Sequence, residues 1–387
     1  MTLLVTSARF PFALELIRKL GAAGERMVAT DSYDAAPGLH SHFAWRHHVT
    51  PSPAHEPAAF IESIARVVAE EDVELIVPSF EEVFYLAHAR ERLGAPLLAP
   101  TFDALAELHG KATFVGLCRR LDLPAPKTIV AEDRASLGDA AAEIGEFLAR
   151  PSFSRSGVQL FTNSGPRAGR LSLDDCDPTP ENPWLVQEFV SGSDMCSYSV
   201  CHEGRVLLHC QYRIPVQLDD ASGVQFQAVD PAPTLAIVER VAAGLELTGQ
   251  LSFDYKQLDD GRLLMIECNP RATSGVSLTS DEDLRRALRG EPGEVDPALV
   301  PAGRRMQADL GIVNEVFAHG LPPLRGLHDL LRIRDIYLDK HDIVPALYGL
   351  VALRHDRATM RLVHDTHEEI AESVTDDVAW DGAPIPT

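Results

Sequence analysis

Apolar and polar positions along the first 109 residues follow two alternating rhythms. Residues 2–7 (TLLVTS) form a short, β-rich apolar run, and 11–21 (PFALELIRKLG) repeat apolar positions at helical spacing. A second strand (MVATD, 27–31) follows. Next come a loop rich in Pro and His, a helix over 57–71, the strand VELIVPSF (73–80), a helix over 81–93 and the strand APLLAP (95–100). Strands alternating with helices predict a doubly wound parallel sheet, whose ligands meet the carboxyl ends of its strands. The turn from Thr6 to Arg9 and the acids Glu81 and Glu82 are therefore expected to face one cleft. That turn reads SARFPF, which lacks G-x-G-x-x-G and gives a dinucleotide site, and with it a dinucleotide-dependent oxidoreductase, little support.

From residue 110 the rhythm changes. A helix over 111–121 leads through LPAPK to the strand TIVAE (128–132), a helix over 136–147 and the strand FLARPS. Residues 160–184 carry Asn, Gly, Asp and Pro without periodicity and suit a flap or surface excursion. WLVQEFV (184–190) opens a strand-rich stretch continued by MCSYSVC, RVLLHCQYRI and strands near 251–256 and 262–268, the pattern of an α+β region with a mostly antiparallel sheet. After 290 the pattern reads as helical in EVDPALV, ADLGIVNEVFAHG and IVPALYGLVALR. RHDRATMRLVHDTHEEIAESV reads as a solvated helix, and the final dozen residues as a loose end. The expected division is 1–109, 110–185, 186–290 and a helical extension over 291–387.

A chain of 387 residues exceeds one compact core and suits two or three domains. The net charge of −22 is spread along the chain, which argues against nucleic acid or an anionic membrane as partner. No apolar run reaches the roughly 18 to 20 residues of a membrane span, and the start lacks a leader pattern, so a cytoplasmic protein is expected. The six cysteines form no C-x-x-C pair and read as buried thiols rather than zinc ligands.

The strongest chemical signal is SFDYKQLDDGRLLMIECNPRATSG at 252–275. Two strands flank a D-D-G turn, and pairing back from that turn sets Asp254 beside Glu267. Glu267 and Asn269, two apart on one strand, share a face. Two carboxylates and an amide oxygen make a hard-oxygen set of the kind that holds Mg²⁺ (or Mn²⁺) while leaving positions for water and phosphate. Arg271 would reach the same cleft as a clamp on phosphate or carboxylate. The alternative is a solvated polar hairpin with Glu267 paired to an arginine.

E-C-N-P-R at Glu267–Arg271, with an Asp thirteen residues before the Glu, resembles the metal-binding hairpin of the ATP-grasp superfamily, of the carboxylate–amine ligase type. The resemblance implies a front α/β domain before a two-subdomain grasp fold that uses ATP and Mg²⁺. Lys111, opening a helix that ends in LPAPK, resembles the family's phosphate-contacting lysine. Arg150 in ARPSFSRSG stands where most members carry Lys, and R-P-S-F is similar to the carbamoyl-phosphate synthetase large subunit. Ser156 and Gly157 fall in the implied phosphate flap, which holds one glycine where those enzymes hold several. VQEFVSGSD implies that Gln187, Glu188 and Val190 line adenine and that Asp194, in place of the usual Glu, meets the ribose. Arg271 and Arg213 are the implied anion-stabilising arginines.

The activity implied is joining a small carboxylic acid to an amine through an acyl phosphate, with a homodimer as the family-based guess. A bicarbonate-activating or carbamoyl-forming enzyme is an alternative, although the chain has one grasp unit where carbamoyl-phosphate synthetases have two. A nucleotide-binding regulator without turnover is another. Weaker candidates are His209, as a selector of the acyl group, and Glu81 and Glu82, as holders of an ammonium group or partners of the following helix. The histidines at 40, 42, 47 and 48 read as part of a surface loop.

Overall fold

The computed structural model describes residues 1–154, 159–218, 222–318, 320–351 and 375–386. The helix expected over 354–374, and the flap residues Ser156 and Gly157, lie outside them.

β1 (Thr2–Val5), β2 (Arg26–Asp31), β3 (Ala44–Val49) and β4 (Leu75–Val77) form a parallel sheet in the order β3-β2-β1-β4. Successive strand side chains face opposite layers. Leu3, Val5 and Met27 accordingly pack with Leu16, Ile17 and Leu20 of α1 (Pro11–Ala22). Leu4, Val28 and Ile76 pack with α2 (Pro57–Glu70) and α3 (Glu82–His88). The front of the chain is thus doubly wound, as its alternation predicts.

Two local readings change. Residues 95–100 add only a bridge from Leu97 to Ile76, because the Arg90 guanidinium takes the carbonyls of Leu97, Ala99 and Pro100 that a next strand would use. The histidine-rich stretch runs into edge strand β3, where the guanidinium groups of Arg26 and Arg46 each lie 4.8 Å from the centre of the Trp45 ring. His40 stacks on Tyr348 and lies 5.5 Å from the His47 ring, whereas His42 lies against Phe43 and His48 meets Glu71 at 3.0 Å, so the four do not share one point.

α4 (Phe102–His109) and α5 (Lys111–Arg120) meet at Gly110. They lead into β5 (Thr128–Ala131), α6 (Arg134–Ile144), β6 (Phe147–Pro151), β7 (Phe161–Thr162) and β8 (Trp184–Glu188). These strands form an antiparallel sheet in the order β5-β8-β6-β7, its face covered by Leu137 and Ala140 of α6.

The larger sheet begins with β9 (Ser193–His202), β10 (Arg205–Leu218) and β11 (Ser222–Val229). After α7 (Ala232–Gly244) it adds β12 (Gly249–Gln257) and β13 (Leu263–Asn269), in the order β13-β12-β9-β10-β11. Val238 and Val241 of α7 pack with Leu251 and Phe253 on one face. Cys196, Tyr198 and Val200 share a core with α1 and with α8 (Asp281–Leu288) on the other.

Beyond residue 290 the helices expected in ADLGIVNEVFAHG and IVPALYGLVALR are present among the described residues, whereas the one expected in EVDPALV is corrected. β14 (Ala298–Leu299) lies parallel to β10, while β15 (Arg305–Gln307) and β16 (Arg334–Asp335) extend the sheet beyond β11. In this region α9 (Asp309–Ala318), α10 (Pro323–Arg332) and residues 344–351 are helical. EVDPALV cannot continue a helix through Pro297, and Asp296 is held by Arg286 and the Gly293 amide. An apolar run this short is ambiguous in period, and the β10 edge takes it as a strand. The last residues are also no loose end, since Trp380 is 5% exposed and stacked on Phe84.

His209 is likewise corrected from substrate selector to core residue. It is fully buried, with Nδ1 2.8 Å from Ser199 Oγ and Nε2 2.8 Å from Thr234 Oγ1. Burial lowers its pKa to about 4. A folded-state pKa below the unfolded value gives stability that is present above about pH 6.5 and is lost as pH falls towards 4, a contribution of up to about 3 kcal/mol. Urea unfolding at pH 7.5 and 4.5 should therefore show a steeper acid loss for the native chain than for His209→Gln; equal slopes would remove His209 from the acid response.

Candidate nucleotide and metal site

The β12–β13 hairpin closes through Leu258, whose amide donates to the Arg262 carbonyl at 2.8 Å. Asp254 pairs with Glu267 and Ser252 with Asn269, the register expected from the turn. A bulge after Asp254 sets Ile266 out of register and strengthens the local twist. Across the sheet Asp254 aligns with Cys196 and Tyr212, whereas Phe253 and Tyr255 point into the α7 core. Asp254, Glu267 and Asn269 therefore share the face away from α7.

On that face Asn269 Nδ2 donates to Asp254 Oδ2 at 3.2 Å, and Arg271 Nη2 donates to Asn269 Oδ1 at 3.1 Å. The Arg271 guanidinium lies 4.2 Å from the centre of the Phe80 ring, and its Nε is buried without a partner. The smaller sheet brings Arg150 across from β6. Its Nη1 reaches Glu267 Oε2 at 2.8 Å, and its Nη2 reaches the Ile266 carbonyl at 3.3 Å. Lys111, at the first position of α5, is buried and donates from Nζ to the Ser154 carbonyl at 2.7 Å. The loops carrying Lys111 and Arg150 are laced together, since the Lys111 amide meets the Ser152 carbonyl and the Ala112 amide meets Ser152 Oγ.

The electrostatics of this cluster are asymmetric. Burial, then the neighbouring charge of Glu267, holds the Asp254 carboxyl well above the usual range. Burial acts the same way on Glu267, but Arg150 and then Lys111 outweigh it and hold that carboxyl low. Two adjacent carboxyls, one pushed up and the other held down, are the arrangement a divalent cation relieves by binding between them. With the Asn269 amide oxygen they make an oxygen donor set that fits Mg²⁺. Among the described residues no group of three or more His, Cys, Asp and Glu side chains could hold a metal, and the set at the hairpin counts only two carboxylates beside its amide.

No protein-family model matches the chain. The arginine-specific large chain of carbamoyl phosphate synthase from Bacillus subtilis is 25% identical over 232 residues, 57% of this chain and 22% of its own length. The Deinococcus radiodurans carbamoyl phosphate synthase large chain is 26% identical over 305 residues, 76% of this chain and 28% of its own. The chain thus spans less than a third of the length of these curated relatives. Among solved structures, the biotin carboxylase domain of Hydrogenobacter thermophilus 2-oxoglutarate carboxylase, complexed with MgADP and bicarbonate, aligns with TM-score 0.61 at 16% identity. It covers 79% of this chain and 73% of that one. The ADP complex of Staphylococcus aureus N5-carboxyaminoimidazole synthetase aligns with TM-score 0.62 at 11% identity, covering 83% and 85%.

The chain is thus similar in sequence to carbamoyl phosphate synthase large chains and in fold to these nucleotide-bound structures. The remaining ATP-grasp candidate positions fall unequally around the hairpin. Asp194 pairs with Lys256 at 2.6 Å on the Asp254 face. Gln187 is buried on β8, donating to Thr128 Oγ1 at 3.0 Å. Glu188 accepts from the Lys127 amide at 2.9 Å, and Val190 follows β8 half-buried. Arg213 is not brought to the cluster. It aligns with Met195 and Tyr255, so its side chain leaves the sheet on the α7 side, where it is exposed and donates to Gln227 Oε1 at 2.8 Å. Glu82 is wholly buried and accepts from Thr6 Oγ1 at 2.5 Å and from the Ser79 and Phe80 amides. It organises the β4 loop and has no room for an ammonium ligand. Glu81 accepts from the Trp380 amide at 3.1 Å.

Sequence reasoning missed Lys256, Phe80 and the Ser154 carbonyl. Lys256 was within reach, since alternation from Asp254 sets it on the same face. Phe80 and Ser154 join the site through tertiary contacts to Arg271 and Lys111 that no local spacing announces.

Proposed function

We propose that this chain is a Mg·ATP-dependent ligase that activates a carboxylic acid as its acyl phosphate and joins it to an amine, releasing ADP and phosphate. The observation that carries the reading is the convergence of Asp254, Glu267 and Asn269 on one sheet face, with Arg150 and Lys111 brought beside Glu267 from the smaller sheet and from α5. Phosphoryl transfer asks for alignment and neutralisation of charge more than covalent help. Asp254, Glu267 and Asn269 would hold Mg²⁺, which supplies Lewis-acid neutralisation of phosphate charge. Lys111 and Arg150 would bind phosphate oxygens, Arg150 exchanging its carboxylate partner for the nucleotide. Gln187, Glu188 and Val190 would border adenine, with Asp194 at the ribose.

A carboxylate oxygen then attacks the γ-phosphorus as the bond to ADP breaks. The amine nitrogen adds to the acyl carbon, phosphate leaves and the amine gives up a proton. Arg271, with its guanidinium fixed over Phe80, would meet the substrate carboxylate and the oxyanion that follows. The 159–183 excursion, with Ser156 and Gly157, would keep water from the acyl phosphate.

A second reading, in which the acid is bicarbonate, is favoured by the curated relatives, which are carbamoyl phosphate synthase large chains. Incubation with Mg·ATP, hydroxylamine and a panel of small carboxylic acids, bicarbonate included, tests both. Hydroxamate with ADP is the expected result and names the acid. ATP consumption dependent on bicarbonate alone would favour the second reading, and AMP as product would overturn both.

A further inference from the structure

Residues 375–386 return from the far end of the chain to the front domain, and one side chain among them meets the phosphate-binding elements. The Trp380 ring stacks on Phe84 with centroids 4.6 Å apart and lies edge-on to Phe102 and to Phe153, each at 5.4 Å. His109 lies tilted at 6.4 Å. His109 is the last residue of α4, two positions before Lys111, and Phe153 directly precedes Ser154, whose carbonyl takes the Lys111 ammonium. Trp380 thus touches the chain on both sides of the Lys111 anchor.

The segment is held firmly enough to transmit position. The Trp380 amide donates to Glu81 and the indole Nε1 donates to the Ala383 carbonyl at 2.8 Å; Tyr85 Oη donates to the Ala379 carbonyl at 2.9 Å. Gly382 sits at φ +91°, where a Cβ would lie 2.4 Å from the Phe153 ring, so only glycine lets the chain approach that ring. At its other end, Asp377 receives a two-pronged contact from Arg9 at 2.8 and 2.9 Å.

We infer that Trp380 is a positioning residue for nucleotide binding: through His109 and Phe153 it sets Lys111 and the base of the flap at the separation the phosphates require. This rests on the reading of Lys111 as a phosphate contact. A strap that only stabilises the fold would lower the unfolding temperature without changing nucleotide affinity in the folded protein.

Mg·ADP titration calorimetry on the full chain, well below the unfolding midpoint, separates the two. Trp380→Ala is expected to weaken Mg·ADP about ten-fold. Trp380→Phe, which keeps an aromatic plate in the cluster, should stay close to the native value. In turnover the loss should fall on KM for ATP rather than on kcat. Native affinity in Trp380→Ala would overturn the inference. Should that variant not fold, the fluorescence difference between the native chain and Trp380→Phe isolates Trp380 from Trp45 and Trp184. That difference should change as Mg·ADP saturates, and a constant signal would overturn the inference equally. Lys111→Met is measured alongside; if it binds Mg·ADP as the native chain does, the phosphate-contact reading itself fails, and the positioning role with it.

Discussion

Glu267→Gln is expected to lower ADP-forming turnover by about a hundred- to a thousand-fold, with the fold retained. Glu267 is the charged member of the carboxyl pair, held ionised against burial by Arg150 and Lys111. The amide keeps the shape and can still accept from Arg150, but it cannot supply the negative oxygen a divalent cation needs. It also removes the charge that helps push the Asp254 carboxyl up, leaving one carboxylate in place of the pair. Stability should change little, since the side chain is about a quarter exposed and Arg150 retains the Ile266 carbonyl. Steady-state turnover and circular dichroism measured together check this; near-native turnover in a folded variant would remove the hairpin from the chemistry.

Arg150 gives the second large effect, and its two variants should differ. Arg150→Ala is expected to cost about a hundred-fold in kcat/KM, because it strips the phosphate region of a cation and leaves Glu267 with Lys111 as its remaining positive neighbour among the causes that hold it ionised. Arg150→Lys should keep part of the activity. It preserves the charge but loses the planar fork that reaches the Glu267 carboxylate and the Ile266 carbonyl together. The comparison is read as kcat/KM for ATP across the native chain and both variants; full activity in Arg150→Ala would place the phosphates away from β6.

How far these residues could be read from the sequence depended on the distance over which the controlling interaction acts. The hairpin was legible because its determinants are local: a D-D-G turn fixes the pairing, and strand alternation puts Asp254, Glu267 and Asn269 on one face. The parallel sheet was legible because its strands and helices alternate in sequence as they do in space. Arg213 was misjudged because its spacing from the motifs does not say which face of β10 it takes; that is settled by pairing with Met195 and, through it, Tyr255. His209 looked chemical because its hydroxyl partners lie 10 and 25 residues away. The end of the chain looked loose because Trp380 finds Phe84 and Phe102 almost 300 positions earlier. Ser156 and Gly157 lie outside the described residues, so their place over the phosphates stands on the resemblance alone.

Transfer of ¹⁸O from the substrate carboxylate into inorganic phosphate, followed during turnover with the acid that the hydroxamate panel identifies, tests the proposed chemistry most directly. Attack of the carboxylate on the γ-phosphorus requires one labelled oxygen in each phosphate released, with ADP unlabelled. Label in AMP, or phosphate free of label while the amide forms, would contradict the acyl-phosphate mechanism.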